Sequence, residues 1–184
     1  MTYYGAKDLA NSFRTVRKNT LIVAEEIGEQ HYGFRAAPHT RTVAQLLVHI
    51  AIGPRMTEQI HAVERLKTLE GFNFPAVMGK FIAEEQKPRK KDEIIALLRD
   101  EGDRFAKWLE GVSDDFLAEQ VVFPAGMAPP SKSRFEMILG VKEHEMHHRA
   151  QLMLIERILG IVPHLTREMQ QRMAAASASG NQRT

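Results

Sequence analysis

Apolar residues recur at three- and four-residue intervals in four separate stretches of the chain, the spacing that gives a helix one apolar face. The first stretch runs through Leu9, Phe13, Val16, Thr20, Val23 and Ile27, with Arg14, Arg17, Lys18, Glu25 and Glu26 off the seam. It predicts an amphipathic helix ending near Gly33. The second begins after a loop at Ala37, Pro38 and His39, where Thr42 and Gln45 stand in capping-box spacing. Its seam passes through Thr42, Leu46, His49, Gly53, Met56, Ile60 and Val63, and its first half is apolar nearly all round, as in a central helix. Pro54 removes the hydrogen bond to the Ile50 carbonyl, so a bend is expected one turn beyond His49.

Residues 71–91 contain Gly71, Pro75, Gly79 and Pro88 and read mainly as connection, with room for a short helical turn from Val77 to Glu85. The basic cluster Lys87, Arg89, Lys90 and Lys91 reads as a solvated loop leading into the next helix. That third helix is expected from about Asp92 along Ile95, Leu98, Gly102, Phe105, Leu109 and Val112, with Gly111 and Ser113 at its end and a short turn from Asp114 to Glu119. Pro124, Gly126, Pro129 and Pro130 exclude regular helix from Val121 to Pro130. The fourth helix opens on Ser133 and Glu136, another capping-box pair, and runs to Leu159, with Gly160 to terminate it and Pro163 beyond.

Four long helices without a convincing strand pattern predict an all-α fold, a four-helix bundle over residues 1–165. The stretch 70–91 is long enough for a crossover connection. Residues 166–184 are expected as a polar tail that starts helical and is partly disordered, above all in its last residues.

Composition narrows the chemistry. The 184 residues suit one domain, and 25 Lys and Arg against 23 Asp and Glu leave a net charge of only +2. No basic excess favours nucleic acid or an anionic membrane. The start, MTYYGAKDLANSF, lacks the pattern of a secretory leader, and the longest apolar run, residues 43–53, is far short of the ~20 residues that span a bilayer. A cytoplasmic location is expected. With no cysteine in the chain, thiolate metal sites and cysteine nucleophiles are excluded, and imidazole and carboxylate must carry any metal or acid–base chemistry.

Eight histidines are available. A helical wheel puts Met137, Val141, His144, His148, Leu152, Ile155 and Leu159 in a stripe roughly 80° wide, with His147 outside it. His49 occupies the same kind of position on the second helix. Three inward imidazoles on two facing helices are costly unless each finds a partner, and a divalent metal such as zinc or nickel would satisfy all three. Core histidines bonded to side chains or water remain the plainer alternative.

His144, Glu145 and His148 also spell H-E-x-x-H, the zinc-protease motif. Its context is missing, because no strand pattern precedes it and Gln151 stands where the extended motif needs glycine. Glu145 and Arg149 are weak candidates for catalytic or outer-shell roles. Gln151 could orient a ligand. His31, His39, His61 and His164 fall in loops or on polar faces, and Met56, Met137, Met153 and Trp108 read as packing residues.

The segment L-L-V-H-I-A around His49 and the segment K-E-H-E-M-H-H-R-A-Q-L-M-L from Lys142 to Leu154 resemble the DinB family, the DinB/YfiT-like group of bacterial four-helix bundles, as does the order of elements over roughly residues 5–165. Ala150 replaces the glycine of the family's usual H-H-R-G-Q. The resemblance implies a metal triad of His49, His144 and His148, and homodimers. It also implies, among characterised relatives, thiol S-transferases that use low-molecular-weight thiols and mycothiol-dependent isomerases. The function expected is that of a metal-dependent transferase of the thiol S-transferase type or a hydrolase. The alternative is a non-catalytic dimer that binds a metal or small molecule. Neither nucleic acid nor membrane is an expected partner.

Overall fold

The structure, a computed structural model, describes residues 4–180; the disorder expected for the last residues falls in part on 181–184, outside the described residues. Helix α1 (Ala6–Glu26) buries every position of its expected seam up to Val23, and Ile27 just beyond its end. Helix α2 (Val43–Ile52) begins at the expected box: Gln45 N–H donates to Thr42 Oγ1 at 3.1 Å and Thr42 N–H to Gln45 Oε1 at 3.0 Å. Pro54 ends α2 and starts α3 (Pro54–Glu58) in the first turn, where no N–H is needed.

The chain then winds into one π turn (Gln59–Val63), whose wider turn rotates the seam. His61, expected on a polar face, is therefore 1% exposed, whereas Val63, expected on the seam, is 78% exposed. Arg134 Nη1 donates to His61 Nδ1 at 2.9 Å, and burial and this guanidinium hold His61 down to about 4.

Residues 71–91 are not mainly connection. They contain a full helix, α4 (Phe74–Glu85), capped by the Asn73 side chain, which accepts from Ala76 N–H at 3.0 Å, and started by Pro75 in its first turn. Helix α5 (Lys91–Glu110) follows, with Ile94 rather than Ile95 fully enclosed. The basic cluster before it is used locally: Lys91 Nζ donates to the carbonyls of Glu25 and Ile27 at the end of α1, and Arg89 pairs with Glu84.

A short α6 (Asp114–Ala118) leads into a small antiparallel pair, β1 (Gln120–Val122) and β2 (Ser131–Ser133), with Val121 opposite Lys132. Helix α7 (Arg134–Ile158) starts at the Ser133–Glu136 box and ends before Gly160, whose φ of +81° suits the left-handed turn there. The C-terminal segment continues as helix α8 (His164–Gly180).

Helices α1, α2, α5 and α7 form the bundle. Both α1 and α2 pack on α5 and α7, so the consecutive helices α1 and α2 lie diagonally, as do α5 and α7. The diagonal steps are thus made by residues 27–42 and 111–133. The stretch 70–91, expected to cross over, joins the neighbours α2 and α5 and lays α4 against α2. No helix among the described residues is long and apolar enough to cross a membrane.

The apolar core is divided. Its two larger parts gather Val23, Leu47, Ile50, Leu98 and Leu152, and Phe13, Phe105, Leu109 and Ile138; a smaller third part holds Ile60, Leu69 and Val121. In the α1 sequence Arg17 falls between the Phe13 and Val23 positions of the two larger parts. Although off the expected seam, it is 4% exposed. It forms an ion pair with Glu145 at 2.9 Å and donates to the carbonyls of Leu98 and Ile50. Gly102 makes the room, since a Cβ there would stand 2.9 Å from Arg17 Cγ.

Candidate metal centre

Pairing Arg17 with Glu145 turns α7. Its buried residues include the expected His148, Leu152 and Ile155, but also Ile138, Glu145, Arg149 and Glu156 on the adjoining side. His144 and His148 consequently stand on the flank of α7 facing α2, with His144 exposed on its outer side and His148 nearly enclosed. His49 projects from the buried α2 to meet them. The Nε2 atoms of His49 and His144 are 3.0 Å apart, and those of His148 and His144 are 3.1 Å apart.

The groups behind the rings define their protonation. His49 Nδ1–H donates to Glu85 Oε1 at 2.7 Å, and His148 Nδ1–H to Gln151 Oε1 at 2.9 Å. The Nε2 atoms of both rings therefore present bare lone pairs toward His144 Nε2. A proton on His144 Nε2 can serve only one of them. Three such nitrogens, all within 4.8 Å of one another, suit one cation better than one another. On a tetrahedral zinc with ~2.0–2.1 Å bonds, two imidazole nitrogens stand roughly 3.3–3.4 Å apart, so the donor set fits after a small outward shift. Loss of water and the neighbouring rings of His148 and His49 push His144 down to about 4, and burial likewise lowers His148; both rings are neutral, as ligands must be.

Glu85 is the residue of the candidate site that the sequence did not disclose. It sits at the end of α4, buried, where Arg41 Nε donates to its Oε2 at 2.7 Å. Burial alone would raise its carboxyl, but the hydrogen bonds from His49 and Arg41 and the charge of Arg41 outweigh that and hold it below the usual range. Arg41, Glu85 and His49 thus make a relay that aims one imidazole, the arrangement that orients histidine ligands in metal sites.

The weak catalytic candidates lie elsewhere. Glu145 is sealed against Arg17, and Arg149 Nη1 donates to the Val16 carbonyl at 3.2 Å. Neither forms a hydrogen bond with the three imidazoles, so the H-E-x-x-H glutamate is turned away from the position a base would need. His164, expected on a polar face, is buried at the start of α8, and His31 and His39 stay in the 28–41 segment.

Two pockets flank the imidazoles. A cleft of about 590 Å³ is bordered by His148, Glu85 and Gln151, and a smaller pocket of about 230 Å³ by His49 and His144 together with Met56, Met137 and other apolar side chains. The methionines expected only as packing thus also line this pocket.

Similar folds occur among solved bacterial proteins. A DinB-like protein, YjoA of Bacillus subtilis, is 17% identical, with a TM-score of 0.60 over 83% of this chain and 91% of its own. A DinB-like protein of Bacillus cereus is 14% identical, with a TM-score of 0.65 over 88% and 97%. YfiT of Bacillus subtilis, described as a probable metal-dependent hydrolase with an unusual four-helix bundle topology, is 13% identical, with a TM-score of 0.66 over 88% and 91%. No curated protein matches the sequence. The profile of the DinB superfamily matches residues 12–152, which span α1 to α7 and all three histidines: the chain belongs to the DinB superfamily.

Proposed function

We propose that the protein is a metal-dependent enzyme in which His49, His144 and His148 hold a divalent cation, zinc or nickel, and leave a coordination position open. The observation that carries this reading is the convergence of three Nε2 atoms, two of them stripped of protons by Glu85 and Gln151. A late divalent metal there supplies Lewis acidity, lowering the pKa of a bound thiol or water. YfiT, with the same fold, is described as a probable metal-dependent hydrolase, which supports a metal-assisted reaction.

The residues around the cluster favour transfer of an external thiol over hydrolysis. Glu85 is committed to His49 and Arg41, and Glu145 to Arg17, so neither carboxylate is placed to take a proton from water. A thiol ionises far more readily than water and needs no such base. The chain has no cysteine, so the thiol comes from a second substrate.

Metal analysis of the purified protein tests the centre. One equivalent of zinc or nickel is expected, lost in both His49→Ala and His148→Ala with helical content retained; unchanged metal in both variants would refute the ligand set. Turnover of an electrophile such as 1-chloro-2,4-dinitrobenzene with a small thiol, dependent on that metal, separates transferase from a non-catalytic binder.

A further inference from the structure

The three imidazoles stand between two pockets, a larger cleft that carries charged groups on a partly apolar wall (Leu46, Ile82, Leu154 and Ile155) and a smaller one without charge. The larger cleft carries the guanidinium groups of Arg35 and Arg41 and a single acid, Glu85. That acid shows no negative face to a ligand, because Oε1 receives His49 and Arg41 and Oε2 receives Arg41 again. Donors remain on the cations. Arg41 uses Nε and Nη2 on Glu85, leaving Nη1, and the exposed Arg35 uses Nη1 on the Thr40 carbonyl, leaving Nε and Nη2. The smaller pocket has no Lys, Arg, Asp or Glu in its lining, where Met78 and Phe81 of α4 face Met137 of α7.

Building on the metal centre proposed above, we infer that the substrate is a small anionic amphiphile. A carboxylate-class anion is held at Arg35 and Arg41, the reacting group lies at the three histidines, and an apolar arm fills the methionine-lined pocket. Guanidinium groups bind such anions through charge-assisted, geometrically matched hydrogen bonds. Flexible methionines adapt to apolar arms of different shape. A cationic molecule in the cleft would meet a net positive charge, two guanidinium groups against one carboxylate already paired with Arg41.

Calorimetric titration of the full chain, zinc-loaded and chelator-stripped, with hexanoate, hexane-1-sulfonate, 1-hexanol and hexylamine tests this. The sulfonate keeps the charge but is a poor zinc ligand, so it reports the arginines rather than the metal. Both anions are expected to bind about tenfold more tightly than hexanol, in line with charge-assisted bonds, and hexylamine not at all. Arg35→Gln should bring the sulfonate down to the level of hexanol with zinc content unchanged, and Met78→Asp should weaken hexanol and sulfonate together. Equal binding of sulfonate and hexylamine, or an Arg35→Gln variant that binds sulfonate as the parent does, would overturn the inference. An anion preference that persists in protein unable to hold zinc would support the inference while refuting the metal centre, so the two fail separately.

Discussion

Glu85 reaches His49 from 36 positions further along the chain, and its carboxylate keeps the proton of that imidazole on Nδ1. In Glu85→Gln the acceptor oxygen can remain but its charge does not, so Nε2 becomes less basic and Arg41 loses its partner. Metal affinity should fall roughly 10- to 100-fold with the helical content unchanged, measured by competition with a chromophoric chelator. A loss of less than twofold would show that the relay does not aim the ligand. Arg17 works by a different route. Its removal in Arg17→Ala leaves the Glu145 carboxylate enclosed without the cation that supplies its hydrogen bonds. Urea denaturation should show a loss of about 3–5 kcal/mol, part of it recovered in the double variant Arg17→Met, Glu145→Leu, which removes the unpaired carboxylate but leaves the buried Arg149 without the charge of Glu145.

Among elements, the ones that end where the chain itself dictates were readable. The boxes at Thr42 and Ser133 and the turn at Gly160 depend on residues within one turn of each other and fall where the sequence places them, and at Pro54, where a bend was expected, one helix ends and the next begins. The π turn was not readable, because nothing in Gln59–Val63 marks the wider winding; its stabilising partner, Arg134, arrives from α7. Helix α4 did carry a signal in Asn73 and Pro75, outweighed by Gly71, Gly79 and Pro88 around it. The wheel for α7 picked out the two histidines that meet His49 and the buried Leu152 and Ile155, but apolar counting cannot anticipate that Glu145, Arg149 and Glu156 turn inward as well.

Towards the end of α7 Glu156 is fully enclosed, and His164 at the start of α8 is buried too; the charges of Glu26 and Arg167 act on both. Burial, with Glu26 nearby and against the opposing pull of Arg167 and Arg157, raises the Glu156 carboxyl to about 7. The folded state thus holds this proton more tightly than the unfolded chain. Its stabilisation is full below pH ~4.5 and is lost as pH rises through about 7, on the order of 3 kcal/mol across that interval. Glu156→Gln, which stays neutral, should abolish that part of the decline; urea midpoints at pH 5, 6, 7 and 8 that fall in parallel for both proteins would rule it out.

At the scale of the whole molecule, the bundle follows from four apolar seams, whereas its diagonal order does not. Neighbouring helices α1 and α2 have matching seams, and only the packing of both on α5 and α7 reveals that they face each other across the core. The candidate site inherits that order, because His49 comes from α2 and the other two imidazoles from α7. A cation shared by them would tie two bundle walls together. Removing it with a chelator should therefore lower the stability of the entire fold, by about 2.7 kcal/mol when free metal had stood at 100 times its dissociation constant. An unchanged melting temperature after complete stripping would contradict the link.

Helix α4 has few apolar side chains to hold it, with Val77 and Glu85 its only buried residues, and its polar end is fastened through Arg41 and His49. Its attachment and the aim of the ligand are therefore the same interaction seen from two sides. In limited proteolysis the segment from Phe74 to Pro88 should therefore report occupancy of the candidate site, cut later when a metal holds His49 in place and earlier after stripping; equal cleavage in both would rule this out.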